Sequence, residues 1–181
     1  MKKFKYLLVL TMLVTGCASQ MKKDFAEPET VNNIDIEKYS GKWYEIASYP
    51  LPFQEGCMCT TAEYTSMGEY IKVFNQCLQK DEDNKKRKTQ SIEGKAFVVE
   101  GSNNAKLKVQ FFPPFKADYW IIDRDEDYSY AVVSNPTKST LWILSRTPRM
   151  KFVTYQSITN RLAEKGFELD KLKRGLQHCG N

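Results

Sequence analysis

Five cysteines and a single histidine, His178, bound the chemistry open to this chain of 181 residues. One histidine three residues from the C-terminus leaves neither a histidine-rich metal site nor a Ser-His-Asp arrangement to assemble. No metal and no cofactor is expected. The thiols are the remaining reactive groups. A cysteine is an acyl acceptor, a disulfide partner or, where its surroundings favour the thiolate, a catalytic nucleophile. Compartment and neighbours decide between these roles.

The compartment is written in the first residues. Lys2, Lys3 and Lys5 precede an apolar run over 6–14, followed by Thr15-Gly16-Cys17. This order reads as an export signal, and nine residues fall short of the ~20 that span a bilayer. A buried N-terminal helix is the alternative. Val14-Thr15-Gly16-Cys17 resembles the lipobox of bacterial lipoproteins, with Val14 where leucine is commonest. The resemblance implies cleavage before Cys17, a diacylglycerol on its sulfur and a further acyl chain such as palmitate on its new amino group. Three chains hold a membrane far more firmly than one. Ala18 and Ser19 lack the Asp of an inner-membrane retention signal, so the resemblance implies a lipid anchor in the bacterial outer membrane, facing the periplasm.

Residues 18–32 are polar, with Lys22, Lys23, Glu27, Pro28 and Glu29, and read as a tether of at most about 50 Å when extended. The expected organisation is therefore a signal peptide over 1–16, acylated Cys17 and tether over 17–32, and one folded domain over 33–181. The 27 basic and 22 acidic residues leave +5, but three of the lysines belong to the signal peptide. The remaining charge is too small for a nucleic-acid binder. A hydrophobic fraction of 41% and an aromatic fraction of 13% argue against disorder.

Residues that position such groups come in short β-branched and aromatic runs: 43–49, 57–64, 70–78, 91–99, 107–112, 119–123, 128–134 and 141–145. Turn signals separate them at Ser66-Met67-Gly68, Gly101-Ser102-Asn103-Asn104 and Asn135-Pro136. Leu107, Val109 and Phe111 alternate with Lys106, Lys108 and Gln110, one face wet and the other dry. After Pro148 the period changes. Tyr155, Ile158 and Leu162, with Val153 beside them, predict a helix over 149–165 packed on the outside, with Gly166 ending it. The charged segment 80–88 reads as a solvated hairpin loop, with a membrane-facing basic patch as the sharper alternative. Eight strands in a row suit an all-β, up-and-down antiparallel barrel, because closure removes both sheet edges and leaves an interior for one small ligand. Composition alone does not choose this over a sandwich.

Three motifs do. Tyr39-Ser40-Gly41-Lys42-Trp43-Tyr44-Glu45-Ile46-Ala47 resembles the Gly-x-Trp motif of lipocalins. Asp125-Glu126-Asp127-Tyr128-Ser129-Tyr130-Ala131-Val132-Val133 resembles their second motif, with a local departure at its start. Leu141-Trp142-Ile143-Leu144-Ser145-Arg146-Thr147-Pro148 resembles the third. The chain resembles bacterial outer-membrane lipoprotein lipocalins and, more distantly, apolipoprotein D-like members. Trp43 closes one end of such a barrel, and Arg146 stacks on it and donates to nearby carbonyls. Gly41, Trp43 and Arg146 are accordingly read as structural.

The resemblance and the alternation together put Asn75, Val73, Val109, Phe111, Tyr119, Trp142 and Leu144 on the ligand-binding interior. An apolar wall with a few polar groups suits a fatty acid or a lysophospholipid. Thr61, Ser91 and Gly94 would leave room inside. Four cysteines remain for disulfides in an oxidising compartment, with three connectivities open. A turn centred on Met67 puts Tyr64 opposite Tyr70 and Cys57 opposite Cys77, which leaves Cys59 for Cys179. A regular strand, however, turns Cys57 and Cys59 to the same face, so a bulge or a shifted register is needed. Cys57–Cys179 with Cys59–Cys77 is the other arrangement.

The expected function is binding rather than catalysis. A monomer or weak dimer, tethered through Cys17, stores or transports an apolar ligand for envelope maintenance or stress. Two further readings stand beside it. One is a cavity-thiol enzyme of isomerase type built on Cys77, and the other a scavenger of haem, pigment or a small hydrophobic drug. A barrel filled by its own side chains would make a scaffold instead.

Overall fold

A computed structural model describes residues 26–80 and 87–179. The expected signal peptide, Cys17 and most of the expected tether lie outside the described residues, as does the centre of the charged segment between 80 and 88. Eight antiparallel strands follow one another around the sheet: β1 (Gly41–Ser48), β2 (Cys57–Ser66), β3 (Ile71–Lys80), β4 (Arg87–Val98), β5 (Lys106–Gln110), β6 (Ala117–Arg124), β7 (Tyr130–Ser134) and β8 (Leu141–Ser145). β1 pairs with both β2 and β8, which closes the barrel. A two-residue strand, β9 (Lys173–Arg174), pairs with β1 beyond the point where β1 leaves β2.

β4 begins four residues earlier than its apolar run, because Arg87–Gln90 pair with β3 as far as Lys80. Strand pairing, not hydrophobicity, sets that end. β7 begins two residues later than expected. Tyr128 has φ +56°, and Asp125 accepts hydrogen bonds from the amides of Ser129 (2.6 Å) and Tyr130 (3.2 Å) and from the Ser129 hydroxyl. The carboxylate thus holds a turn where alternation suggested strand.

The β2–β3 register departs from expectation. The turn occupies residues 67–70, with the Met67 amide donating to the Tyr70 carbonyl, so Tyr64 faces Val73 and not Tyr70. Further along, the register shifts between Met58 and Thr61, where Cys59 has φ +52°. Cys57 then lies opposite Gln79, and Cys77 is its diagonal neighbour with Cα atoms 5.5 Å apart. In this arrangement Cys57 is bonded to Cys77, and the bulged Cys59 is bonded to Cys179.

Two apolar clusters sit on the two faces of the wall. The inner one contains Trp43, Tyr64, Val73, Leu107, Val109, Ile121, Val133 and Leu144. The outer one contains Trp120, Ile122, Val132, Ile143, Ile158, Leu162 and Phe167, and it holds the helix α2 (Phe152–Glu164) on the barrel. α2 starts three residues later than predicted, since the Thr147 hydroxyl claims the Arg149 carbonyl that an earlier helical turn would use. Val153 is exposed rather than part of the packing face. Gly166, φ +77°, ends the helix with Phe167 N–H on the Leu162 carbonyl and Gly166 N–H on that of Ala163. Arg161 fixes the helix to β6 through Asp123, at 2.7 and 2.9 Å.

Candidate ligand-binding interior

One end of the barrel is shut. Val31, expected in the tether, donates to the Ile121 carbonyl (3.0 Å) and packs against the inner cluster. Ile34 bonds Asn103, and the short helix α1 (Ile36–Tyr39), capped by Asp35, leads into β1. Trp43 is fully buried and donates through Nε1 to the Tyr39 carbonyl at 2.8 Å. The Arg146 guanidinium lies 3.7 Å from the centre of the Trp43 ring. Its nitrogens donate to the carbonyls of Lys42 (3.0 Å), Tyr128 (3.3 Å) and Lys38. Gly41 has φ +93°, a conformation that disfavours any other residue, and a Cβ there would sit 3.4 Å from Arg146 Nη1.

Above this plate stands a group of three tyrosines. The Tyr119 hydroxyl is 2.7 Å from that of Tyr39 and 2.8 Å from that of Tyr64. Burial pushes the Tyr64 phenol up to about 12 and raises Tyr39 and Tyr119 well above their ordinary value. All three are neutral at physiological pH, and the Tyr119 hydroxyl links the other two. Tyr119 was expected to meet a ligand, but its polar end is already engaged here.

The remaining predicted residues share the interior face. Val73, Val109 and Leu144 belong to the inner cluster, with Phe111 and Trp142 packed against it. Asn75 faces Ala62, which faces Trp43, and so points inward as well. Its Oδ1 is buried with no hydrogen-bond partner. The three positions expected to leave room do not. Thr61 and Ser91 pair with outward positions, Tyr44 and Gln76, and a Cβ on Gly94 would lie 2.6 Å from the Phe111 ring. Gly94 lets Phe111 lie across the wall rather than opening a void.

Sequence reading missed Glu45. It pairs with Leu144 across β1 and β8 and is therefore interior, 9% exposed. The Ser48 hydroxyl donates to Oε1 at 2.8 Å and Gln54 Nε2 to Oε2 at 2.9 Å. Gln54 in turn accepts from Trp142 Nε1 at 3.4 Å. Burial raises the Glu45 carboxyl above the ordinary carboxylate range, opposed by the two hydrogen bonds. Its place two residues after Trp43 on one strand was the available signal, since positions i and i+2 share a face.

β1 and β2 part beyond Tyr44 and Thr61. The C-terminal tail enters the gap. Gly175 N–H meets the Ile46 carbonyl, Cys59 N–H meets that of Leu176, and Gln177 Nε2 bridges the carbonyls of Glu45 (2.8 Å) and Thr60 (2.9 Å). The Cys59–Cys179 bond ties this tail in place. At the same end Phe53, in the β1–β2 connection, and Phe112 and Phe115, between β5 and β6, are exposed.

The barrel is thus shut at one end, with an apolar inner wall and a few buried polar groups. The chain belongs to the lipocalin family: residues 34–177 match the family model described as a lipocalin-like domain. It is 39% identical over 158 residues to temperature-induced lipocalin-1 of Arabidopsis thaliana, covering 82% of each chain. It is 34% identical to the outer membrane lipoprotein Blc of Vibrio cholerae over 169 residues, covering 92% of this chain and 94% of that one. Mouse apolipoprotein D is 33% identical, over 80% of this chain and 78% of its own. Among solved structures, insecticyanin of the tobacco hornworm superposes with a TM-score of 0.64 at 21% identity, covering 83% of each chain, which shows the shared fold.

Proposed function

We propose that this lipocalin is anchored to the bacterial outer membrane through acylated Cys17 and binds single-chain lipids, fatty acids or lysophospholipids, to store or move them in envelope maintenance or stress. The inner wall carries this reading. Val73, Val109, Phe111, Trp142 and Leu144 give an apolar face above a floor sealed by Trp43 and Arg146. Phe53, Phe112 and Phe115 present aromatic surface on the connections at the opposite end, where a lipid would enter. The likeness to the outer membrane lipoprotein Blc supports the anchor. The cavity-thiol alternative requires a free Cys77, and Cys77 is bonded to Cys57.

Mass spectrometry of an organic extract of protein purified from native membranes tests the ligand. Stoichiometric fatty acid or lysophospholipid is expected, and haem, a pigment or an empty protein would overturn the lipid reading. Cys17→Ala is expected to abolish acyl labelling and release the chain from the membrane fraction. Retention of Cys17→Ala in the outer membrane would overturn the anchor.

A further inference from the structure

Two buried acceptors on the inner wall, at Glu45 and Asn75, have capacity that the described residues leave unused. Glu45 is a buried carboxylate with two hydrogen bonds, from Ser48 and Gln54, while an ionised carboxylate offers about four acceptor positions. No lysine, arginine or histidine lies within 4 Å of it among the described residues. On the wall two strands away, Asn75 Oδ1 is a second buried acceptor, and no donor reaches it. At the floor, by contrast, the hydroxyls of Tyr39, Tyr64 and Tyr119 pair among themselves.

An uncompensated buried charge is expensive, and one kept in a cavity wall calls for a partner that arrives with the ligand. We infer that Glu45 selects the head group: the preferred ligand is a single-chain amphiphile bearing an ammonium, seated against Glu45 with Trp142 alongside. This deepens the proposed lipid binding and rests on it. An ammonium has three donors and no acceptor, which suits the unused acceptor positions of Glu45. The neighbouring Trp142, which faces Ser48 across β1 and β8, adds an aromatic ring of the kind that attracts cations. A fatty-acid carboxylate brings only acceptors and a like charge. Ethanolamine-type lysophospholipids and simple long-chain amines share the ammonium, and the test separates them.

The full chain carrying Cys17→Ser, so that no attached acyl group competes, is loaded with the neutral probe N-phenyl-1-naphthylamine at pH 7.5. Tetradecylamine, tetradecanoic acid and the lysophosphatidylethanolamine of the same tail then displace it. The amine is expected to displace at least ten-fold more tightly than the acid. Lysophosphatidylethanolamine matching the amine assigns the site to phospholipid heads, and one as weak as the acid restricts it to simple amines. Both outcomes support ammonium selection. Glu45→Gln is expected to bring amine and acid within about two-fold. Acid binding as tight as amine in the parent, or a ratio that Glu45→Gln leaves unchanged, overturns the inference while leaving lipid binding intact. Failure of the probe and of all three amphiphiles to bind overturns the proposed function itself.

Discussion

The two ends of this barrel solve the same problem in opposite ways. At the floor, Trp43, Arg146 and the three tyrosines bury polar groups that satisfy one another, through the carbonyls of Lys38, Lys42 and Tyr128 and a closed set of hydroxyl contacts. Glu45, further along β1, and Asn75, on the β3 wall, are buried with acceptor capacity unused. The mouth is held instead by covalent bonds, Cys57–Cys77 and Cys59–Cys179, and by a tail laid into the gap between β1 and β2. A buried acceptor left with spare capacity calls for an explanation, and an interior that receives a ligand supplies one.

Breaking each end should expose the difference. Trp43→Ala removes the plate under the inner cluster and is expected to cost about 3–5 kcal/mol, read by denaturant unfolding. Removing the tail bond with Cys59→Ser and Cys179→Ser is expected to cost about 3–5 kcal/mol, given the sequence separation of 120. Reductant should cost wild type at least as much, since it opens Cys57–Cys77 as well, whereas the Trp43→Ala loss should be about the same with or without it.

The buried polar groups should respond with opposite signs. Tyr119→Phe leaves Tyr39 and Tyr64 without their shared partner and should destabilise by about 1–2 kcal/mol. Asn75→Leu replaces an unpartnered acceptor with an apolar group and should be neutral or stabilising. A loss at Asn75 as large as that at Tyr119 would erase the distinction between floor and mouth.

Glu45→Gln gives a change that depends on pH. Burial raises its carboxyl pKa in the folded chain above the unfolded value. The folded state therefore loses stability as pH rises through the ordinary carboxylate range and carries that loss at all pH values above the raised pKa. Glu45→Gln should stabilise by about 1 kcal/mol at pH 8, with the gain vanishing near pH 4, in thermal melts at the two pH values.

Much of this could be read before folding. Alternation around Trp43, Leu107 and Trp142 marks the dry face, because a strand repeats every two residues whatever surrounds it. Gly166 marks the end of α2, because the left-handed conformation there is a local demand. Where strand met turn, local chemistry misled. Tyr128 looks like strand but is held in a turn by Asp125, and Arg87–Gln90 look like loop but pair with β3.

What the amino-acid sequence by itself determined was the set of strands, the floor motif and the faces of residues that alternate regularly, all properties of neighbours along the chain. The tertiary structure alone decided the bulge at Cys59, which turns one cysteine towards the tail and leaves the other on Cys77. It also decided that Glu45 and Asn75 keep unused acceptors while Tyr119 does not. Register and hydrogen-bond satisfaction depend on which distant strand comes alongside, and no local pattern carries that information.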